Sequence, residues 1–355
     1  MKVKVVDLIF ALSLTFGLFL STSLTLHKFK LAEQNNFAIS FDLSDGFNYG
    51  QIDEDLVLYN DEIKYLTWLI FRSESISKLS SIEGIANLNL YGFFVSSVFI
   101  FTGEWKVLFI IGFLSYLYFV FTIKNISFHL LGDRISKLMS SCFCLLPPVI
   151  DLSSGFMRDL LLISFVLQSL FQLSNKRYFS FLVFFFLVFS LRSFYVIILS
   201  PFVFYVKTRN FRYSIFFMIF SISFSMLILR LYKFGNGSVI EVIYRFIELL
   251  TGASKVLIYD FSFPFISAGS FEFYSALVYF FVPFLLYFLF VVNRFLVDKL
   301  FFLLFLGGLN LSIFYGYTLG FFVPRTKLVF IVGVIFFIFY SLHKREFSRS
   351  GGGFK

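Results

Sequence analysis

Cysteine is nearly missing from this chain, and the two that exist stand one residue apart, either side of Phe143. Cys142 and Cys144 are the only ones among 355 residues, and both lie inside an apolar run. Such a pair supports no disulfide framework and is read as packing. Histidine is almost as rare. His27, His129 and His343 are scattered along the chain, so no zinc constellation can be assembled from them. Charge is scarce too, at 14% of residues, with no internal repeat, heptad array or low-complexity tract beyond general phenylalanine richness. What fills the space is apolar. The chain is 59% hydrophobic and 23% aromatic, with 60 Phe and a mean hydropathy of +0.87. No soluble core hides that much apolar surface, and the alternative solvent is lipid. The net charge of +9 then reads as loop charge that sets orientation, not as a nucleic-acid footprint.

The chain is expected to be an all-α polytopic membrane protein of about ten transmembrane helices. Lys2 and Lys4 precede an apolar run reaching Leu26, read as an uncleaved first span with its N-terminus in the cytoplasm. Residues 27–87 follow on the outer side, with ten Asp or Glu against five Lys or Arg. Two apolar runs come next, 88–102 and 107–123, split by Gly103-Glu104-Trp105-Lys106. Counting both as spans gives eleven passes, and counting the first as a membrane-hugging helix gives ten. With ten, the cytoplasmic pieces are 1–5, 124–137, 174–177, 207–212, 293–299 and 343–355. They hold 16 of the 30 Lys and Arg in 49 residues, which favours ten.

The first outer loop is then 27–106, a second is 233–272, and 343–355 is a cytoplasmic tail, all within one membrane domain. The later spans are expected at 107–123, 138–153, 159–174, 178–191, 193–206, 213–232, 273–292, 300–317 and 328–342. The runs 178–191 and 193–206 are short, and a shallow hairpin with Arg192 at its outer tip keeps the basic residues on both flanks inside.

Chemistry is sought at the outer ends. Five carboxylates fall within ten residues, Asp53, Glu54, Asp55, Asp61 and Glu62, with Tyr65 one turn beyond Asp61. Carboxylates beside a bilayer serve as general bases or cation ligands, and a solvated acidic loop is the alternative. Arg158 and Asp159 follow Pro147-Pro148 at a turn between passes. Arg192 interrupts a 29-residue run that is otherwise uncharged, and Arg325 and Lys327 precede the last span. Arginine at membrane depth is costly and usually faces a cavity or a partner, and its planar fork suits phosphate oxygens. For Arg158, a local ion pair with Asp159 or snorkelling to lipid phosphates is the competing account.

These features together resemble the multi-span glycosyltransferases of the GT-C type. The points of likeness are the long outer loop with Asp61-Glu62-Ile63-Lys64-Tyr65, the interfacial helix ending at Gly103, and the basic loop from Lys124 to Lys137. Pro147-Pro148, Arg158-Asp159, the isolated Arg192 and the late Arg325-x-Lys327 complete the layout. Size, phenylalanine richness and a second outer loop are also similar to the O-antigen and capsule repeat-unit polymerases of bacterial inner membranes. The resemblance implies glycosyl transfer at the periplasmic face from an undecaprenyl-linked donor. Asp61 or Glu62 would be the catalytic base, the Asp-Glu order leaving the choice open. Arg158, Asp159, Arg192, Arg325, Lys327 and Tyr65 would form the substrate site. It implies lipid and lipid-linked glycan as partners, with a chain-length regulator protein, and neither nucleic acid nor a cofactor, metal dependence being open. A transferase using a polyprenyl-phosphate monosaccharide and a lipid-linked oligosaccharide flippase are the alternatives. A flippase is expected to show about twelve spans, often with a repeat.

Overall fold

The computed structural model describes residues 5–34, 39–42, 46–49 and 90–192, together with helical positions 62, 65–66, 203–204, 208, 213, 328, 332–333, 335–336, 338–340 and 342–343. The chain divides into two compact units. One comprises Met1–Ile126, Ser140–Ser169 and Phe179–Ser193, the other Ser127–Met139, Leu170–Tyr178 and Phe194–Lys355. Among the described residues the fold is carried by helices: α1 (Val5–Gln34), α2 (Leu90–Thr102), α3 (Phe109–Leu131), α4 (Asp133–Cys144), α5 (Pro147–Ser153), α6 (Asp159–Ser174) and α7 (Tyr178–Leu191). A 3-10 turn, Trp105–Leu108, leads into α3. A short antiparallel hairpin, β1 (Ile39–Asp42) and β2 (Gly46–Tyr49), adds to the helices, with Phe41 opposite Phe47.

Among the described residues two stretches, Val5–Gln34 and Trp105–Leu131, are long and apolar enough to cross a membrane; the bent pair α4–α5 is either one broken span, which would be a third, or a re-entrant loop. The helices α2, α6 and α7 are apolar but shorter. The protein is thus a helical, membrane-type chain. Its remaining expected passes, the loop 233–272 and the tail 343–355 fall largely or wholly outside the described residues.

The first helix does not stop at Leu26 as expected, but runs to Gln34, about 45 Å in all. No proline interrupts it, and its threonines turn inward on the backbone, with Thr15, Thr22 and Thr25 each donating to the carbonyl four residues back. Its extra turns are held by contacts. The Phe29 ring meets Phe109 at 4.9 Å and Trp105 at 5.8 Å, and Lys106 Nζ lies 3.1 Å from Glu33 Oε1.

Along its length α1 runs antiparallel to α3. Phe10 sits under the Lys124 ammonium, Gly17 faces Tyr116, and Phe29 faces Phe109. Against α5, Ser153 Oγ donates to Ser21 Oγ at 2.7 Å. Gly17 is required where it stands, because a Cβ there would overlap the Tyr116 hydroxyl and the Cys144 carbonyl. The opposite face of α1 shows Leu8, Leu12, Phe16 and Phe19 outward, an apolar band suited to lipid.

The expected basic loop from Lys124 to Lys137 is mostly helix. No glycine or proline breaks the chain before Gly132, so α3 continues to Leu131. Gly132 then takes a φ of +79° and its N–H returns to the Phe128 carbonyl at 3.0 Å, a left-handed cap. Helix α4 begins at once, with Lys137 Nζ 2.6 Å from Asp133 Oδ2.

The expected single pass over 138–153 is broken. Helices α4 and α5 meet at 64°, and the cause is Pro147-Pro148. In an unbroken helix the carbonyls of Phe143 and Cys144 would accept from residues 147 and 148, which carry no N–H. Other donors take their place: the Leu146 N–H reaches Phe143 O at 3.4 Å, and the Tyr116 hydroxyl reaches Cys144 O at 3.0 Å. Inside a bilayer such replacement is obligatory.

Helices α6 and α7 fall where the sequence places them. They join through a Schellman turn at Asn175-Lys176-Arg177, with Arg177 N–H to Gln172 O at 2.9 Å and Lys176 N–H to Leu173 O at 3.1 Å. Lys176 holds the left-handed position there, at φ 59°.

Candidate functional site

Every residue of the cluster below belongs to the first compact unit. Its floor is a close backbone approach. Gly112 of α3 has no room for a Cβ, because the carbonyls of Ser153 and Gly155 rest on it. The turn between α5 and α6, Ser154 to Arg158, is therefore pressed directly onto α3. The side chains of Phe156 and Met157 point into the core and are fully buried.

Phe156 is held by both of its backbone groups. Its N–H donates to Glu62 Oε1 at 2.6 Å, and its carbonyl accepts from the Tyr91 hydroxyl. Glu62 is fully buried. Gly155 leaves the space its carboxylate occupies, since a Cβ there would overlap Glu62 Oε1. Burial pushes the Tyr91 phenol well above its ordinary pKa. Nearby Tyr65, Glu62 and Asp159 raise it further, while Arg158 opposes them. Tyr91 accordingly remains a hydroxyl donor at physiological pH.

Helix α2 supplies the next wall. Tyr91, Gly92, Val95, Ser96 and Phe99 form its buried face. The Ser96 hydroxyl bonds the Tyr65 carbonyl and lies 3.1 Å from the Leu66 carbonyl. The Tyr65 ring meets the Tyr91 ring edge-on at 5.1 Å. Phe93, Phe94, Ile100 and Phe101 point outward, and the helix is about 20 Å long, shorter than a hydrocarbon core.

The cations close the cluster. The Arg158 guanidinium lies 5.3 Å from the Tyr65 ring centre, and its Nη1 donates to the Leu191 carbonyl at 2.6 Å. That carbonyl is at the C-terminal end of α7, where helix carbonyls lack intrahelical donors and favour positive charge. Arg192, the next residue, reaches Asp159 Oδ1 at 3.3 Å. The other oxygen, Asp159 Oδ2, is buried without a hydrogen-bond partner among the described residues. A local Arg158–Asp159 pair, one of the sequence-based accounts, is not what forms. Asp159 pairs with Arg192 across the helices instead.

Of the residues singled out from sequence, Glu62, Tyr65, Arg158, Asp159 and Arg192 come together here. Asp61, Arg325 and Lys327 lie outside the described residues. Tyr65 is 3% exposed, and its ring is engaged by Tyr91 and Arg158. Tyr91, Ser96 and Gly155 join the cluster without having been singled out as site residues. The available signal was the helical face shared by Tyr91 and Ser96 within an otherwise apolar run. Among the described residues no group of three or more His, Cys, Asp and Glu side chains could hold a metal ion.

What the arrangement offers chemically is two half-buried guanidiniums beside two buried carboxylates, at the end of an apolar helix pack. No protein-family model, curated protein or solved structure matches this chain.

Proposed function

We propose that this chain is a membrane glycosyltransferase acting at the outer face on an undecaprenyl-linked donor, most specifically a polymerase of O-antigen or capsule repeat units. The observation that supports this reading is the set Arg158, Asp159 and Arg192, collected where the α5–α6 turn meets the end of α7 beside Tyr65. Guanidiniums concentrated at one end of a lipid-facing helix pack suit the diphosphate of a polyprenyl donor, whose tail stays in the membrane. The Arg192–Asp159 contact of 3.3 Å is long for a charge-assisted bond, so a phosphate oxygen can compete for Arg192.

In the proposed reaction Asp61 takes the proton of the acceptor hydroxyl as general base. The hydroxyl oxygen bonds to the anomeric carbon while the bond from that carbon to the donor phosphate oxygen breaks. Arg158 and Arg192 offset the charge that collects on the departing undecaprenyl diphosphate. Helix α2, lying in the outer interface, steers the lipid tail. In this reading the chain spans a bacterial inner membrane ten times with both termini in the cytoplasm, and a chain-length regulator is its protein partner.

Two experiments test the proposal. Deletion in the native host should leave surface polysaccharide capped by single repeat units. Loss of the caps altogether would instead point to a unit-building transferase on a polyprenyl-phosphate donor, or to a flippase. Purified protein in liposomes should convert a lipid-linked repeat unit into a ladder, and Asp61→Asn should remove the ladder, because loss of a general base typically costs roughly 10²–10⁴-fold. A full ladder from Asp61→Asn would take the base role away from it.

A further inference from the structure

We infer that Glu62 is a positioning residue: it anchors the stretch carrying Tyr65 and Leu66 to the α5–α6 turn and thereby sets Arg158 in place. The inference rests on the glycosyltransferase reading for its kinetic arm, and on geometry alone for its anchoring arm.

The geometry forms a closed circuit of three pieces of chain. Glu62 Oε1 accepts the Phe156 N–H at 2.6 Å, tying the segment to the turn. The Tyr91 hydroxyl binds the Phe156 carbonyl, tying α2 to the turn. Ser96 binds the carbonyls of Tyr65 and Leu66, tying α2 back to the segment. Each link involves a buried polar group, and buried polar groups must be satisfied. Losing the side chain of one link therefore leaves its buried backbone partner without that bond and opens the circuit.

Two glycines show that the circuit is built for close approach. Gly112 lets the turn rest on α3, and Gly155 leaves room for the Glu62 carboxylate. At any other residue type in position 155 the Cβ and Oε1 would compete for one place.

The product of the circuit is the position of Tyr65, whose ring carries the Arg158 guanidinium at 5.3 Å. Arg158 in turn reaches α7 through Leu191 O. Glu62 thus acts on the cation through Tyr65 and the turn. A general base needs an approach for the acceptor hydroxyl, and Glu62 is fully buried with its Oε1 on the Phe156 N–H. Its role needs an acceptor oxygen of the right reach, which glutamine also has. A proton-accepting role needs the carboxylate itself.

The experiment compares Glu62→Gln, Glu62→Ala and Gly155→Ala in the full chain, each with Leu66→Cys in a Cys142→Ser/Cys144→Ser background. Leu66 is fully buried, so its thiol reports the anchoring without any reference to sugar chemistry. A membrane-impermeant maleimide is the probe, and the amount of folded protein in the membrane is measured in parallel. The thiol should be protected in the parent and in Glu62→Gln, and labelled in Glu62→Ala and Gly155→Ala. The rate of ladder formation should fall no more than about threefold in Glu62→Gln, with the acid limb of the pH–rate profile kept. It should fall roughly 10²-fold in the other two, the size expected when catalytic groups are misplaced.

A protected thiol with a lost ladder or a lost acid limb in Glu62→Gln would make the carboxylate itself chemical, and overturn the inference. Labelling in Glu62→Gln, or protection in both Glu62→Ala and Gly155→Ala, would overturn it as well. If the parent makes no ladder from any lipid-linked unit, the glycosyltransferase reading fails alone, and the maleimide result still decides whether Glu62 anchors.

Discussion

Arg192 and Asp159 stand 3.3 Å apart at 12% and 1% exposure, which changes what a substitution there measures. Removing one partner of a buried pair leaves the other charge uncompensated, at about 3–5 kcal/mol. Arg192→Ala is therefore expected to lower the amount of folded protein as well as activity. Arg192→Ala combined with Asp159→Asn should restore the amount, read by detergent extraction and size exclusion, while the ladder stays absent. A double variant that polymerises would reduce Arg192 to a partner for Asp159. The two arginines were legible because isolated cations in apolar runs stand out. Their partners were not, since the choice of Asp159 for Arg192 and of Leu191 O for Arg158 depends on how α6 and α7 meet. Tyr91 and Ser96 were hidden in a run whose hydropathy drowns one hydroxyl.

At the scale of elements, α6 and α7 could be read to the residue because loop chemistry brackets them. The bend between α4 and α5 could not. Prolines survive inside membrane helices when other groups satisfy the freed carbonyls, and the group that does so here, the Tyr116 hydroxyl, lies 28 residues from Cys144. The end of α1 was misplaced for a similar reason, as its last turns depend on Trp105, Lys106 and Phe109. Gly17, Ser21 and Thr25 follow one another at one-turn spacing on α1, a small-residue seam of the kind that lets membrane helices approach. Gly17→Ala is expected to destabilise the first unit by about 1–3 kcal/mol through overpacking, seen as a lower melting temperature in detergent. Ala at a position of α1 facing outward, such as Leu12, should shift it far less. Equal shifts would show that the seam carries no special packing.

For the whole molecule, the proposed ten passes rest on where the positive charges fall, and the proposal is open to a direct check. Single cysteines placed in 27–87 and 233–272 should react with an impermeant reagent from outside. Cysteines replacing Lys344 or Arg349 should react only after permeabilisation. Outside labelling of those two would overturn the proposed ten-pass arrangement, which puts Arg158 and Arg192 at the outer face. Membrane character was legible from composition alone. The division into two compact units was not, because it cuts across α3, α4 and α6 and follows no boundary in composition.

The shortness of α7 has a consequence for the lipid around it. Its 14 residues make an apolar rod of about 21 Å, with Phe179, Leu182 and Phe186 turned outward, against a hydrocarbon thickness near ~30 Å. Lipids meeting such a surface compress, at a cost of fractions of a kcal/mol per Å of mismatch. Were α7 to cross the bilayer alone, the leaflets would be drawn toward one another beside Arg192. On the proposed reading, a polyprenyl carrier diffusing there would have its head group lowered toward the cations by the shape of the bilayer itself.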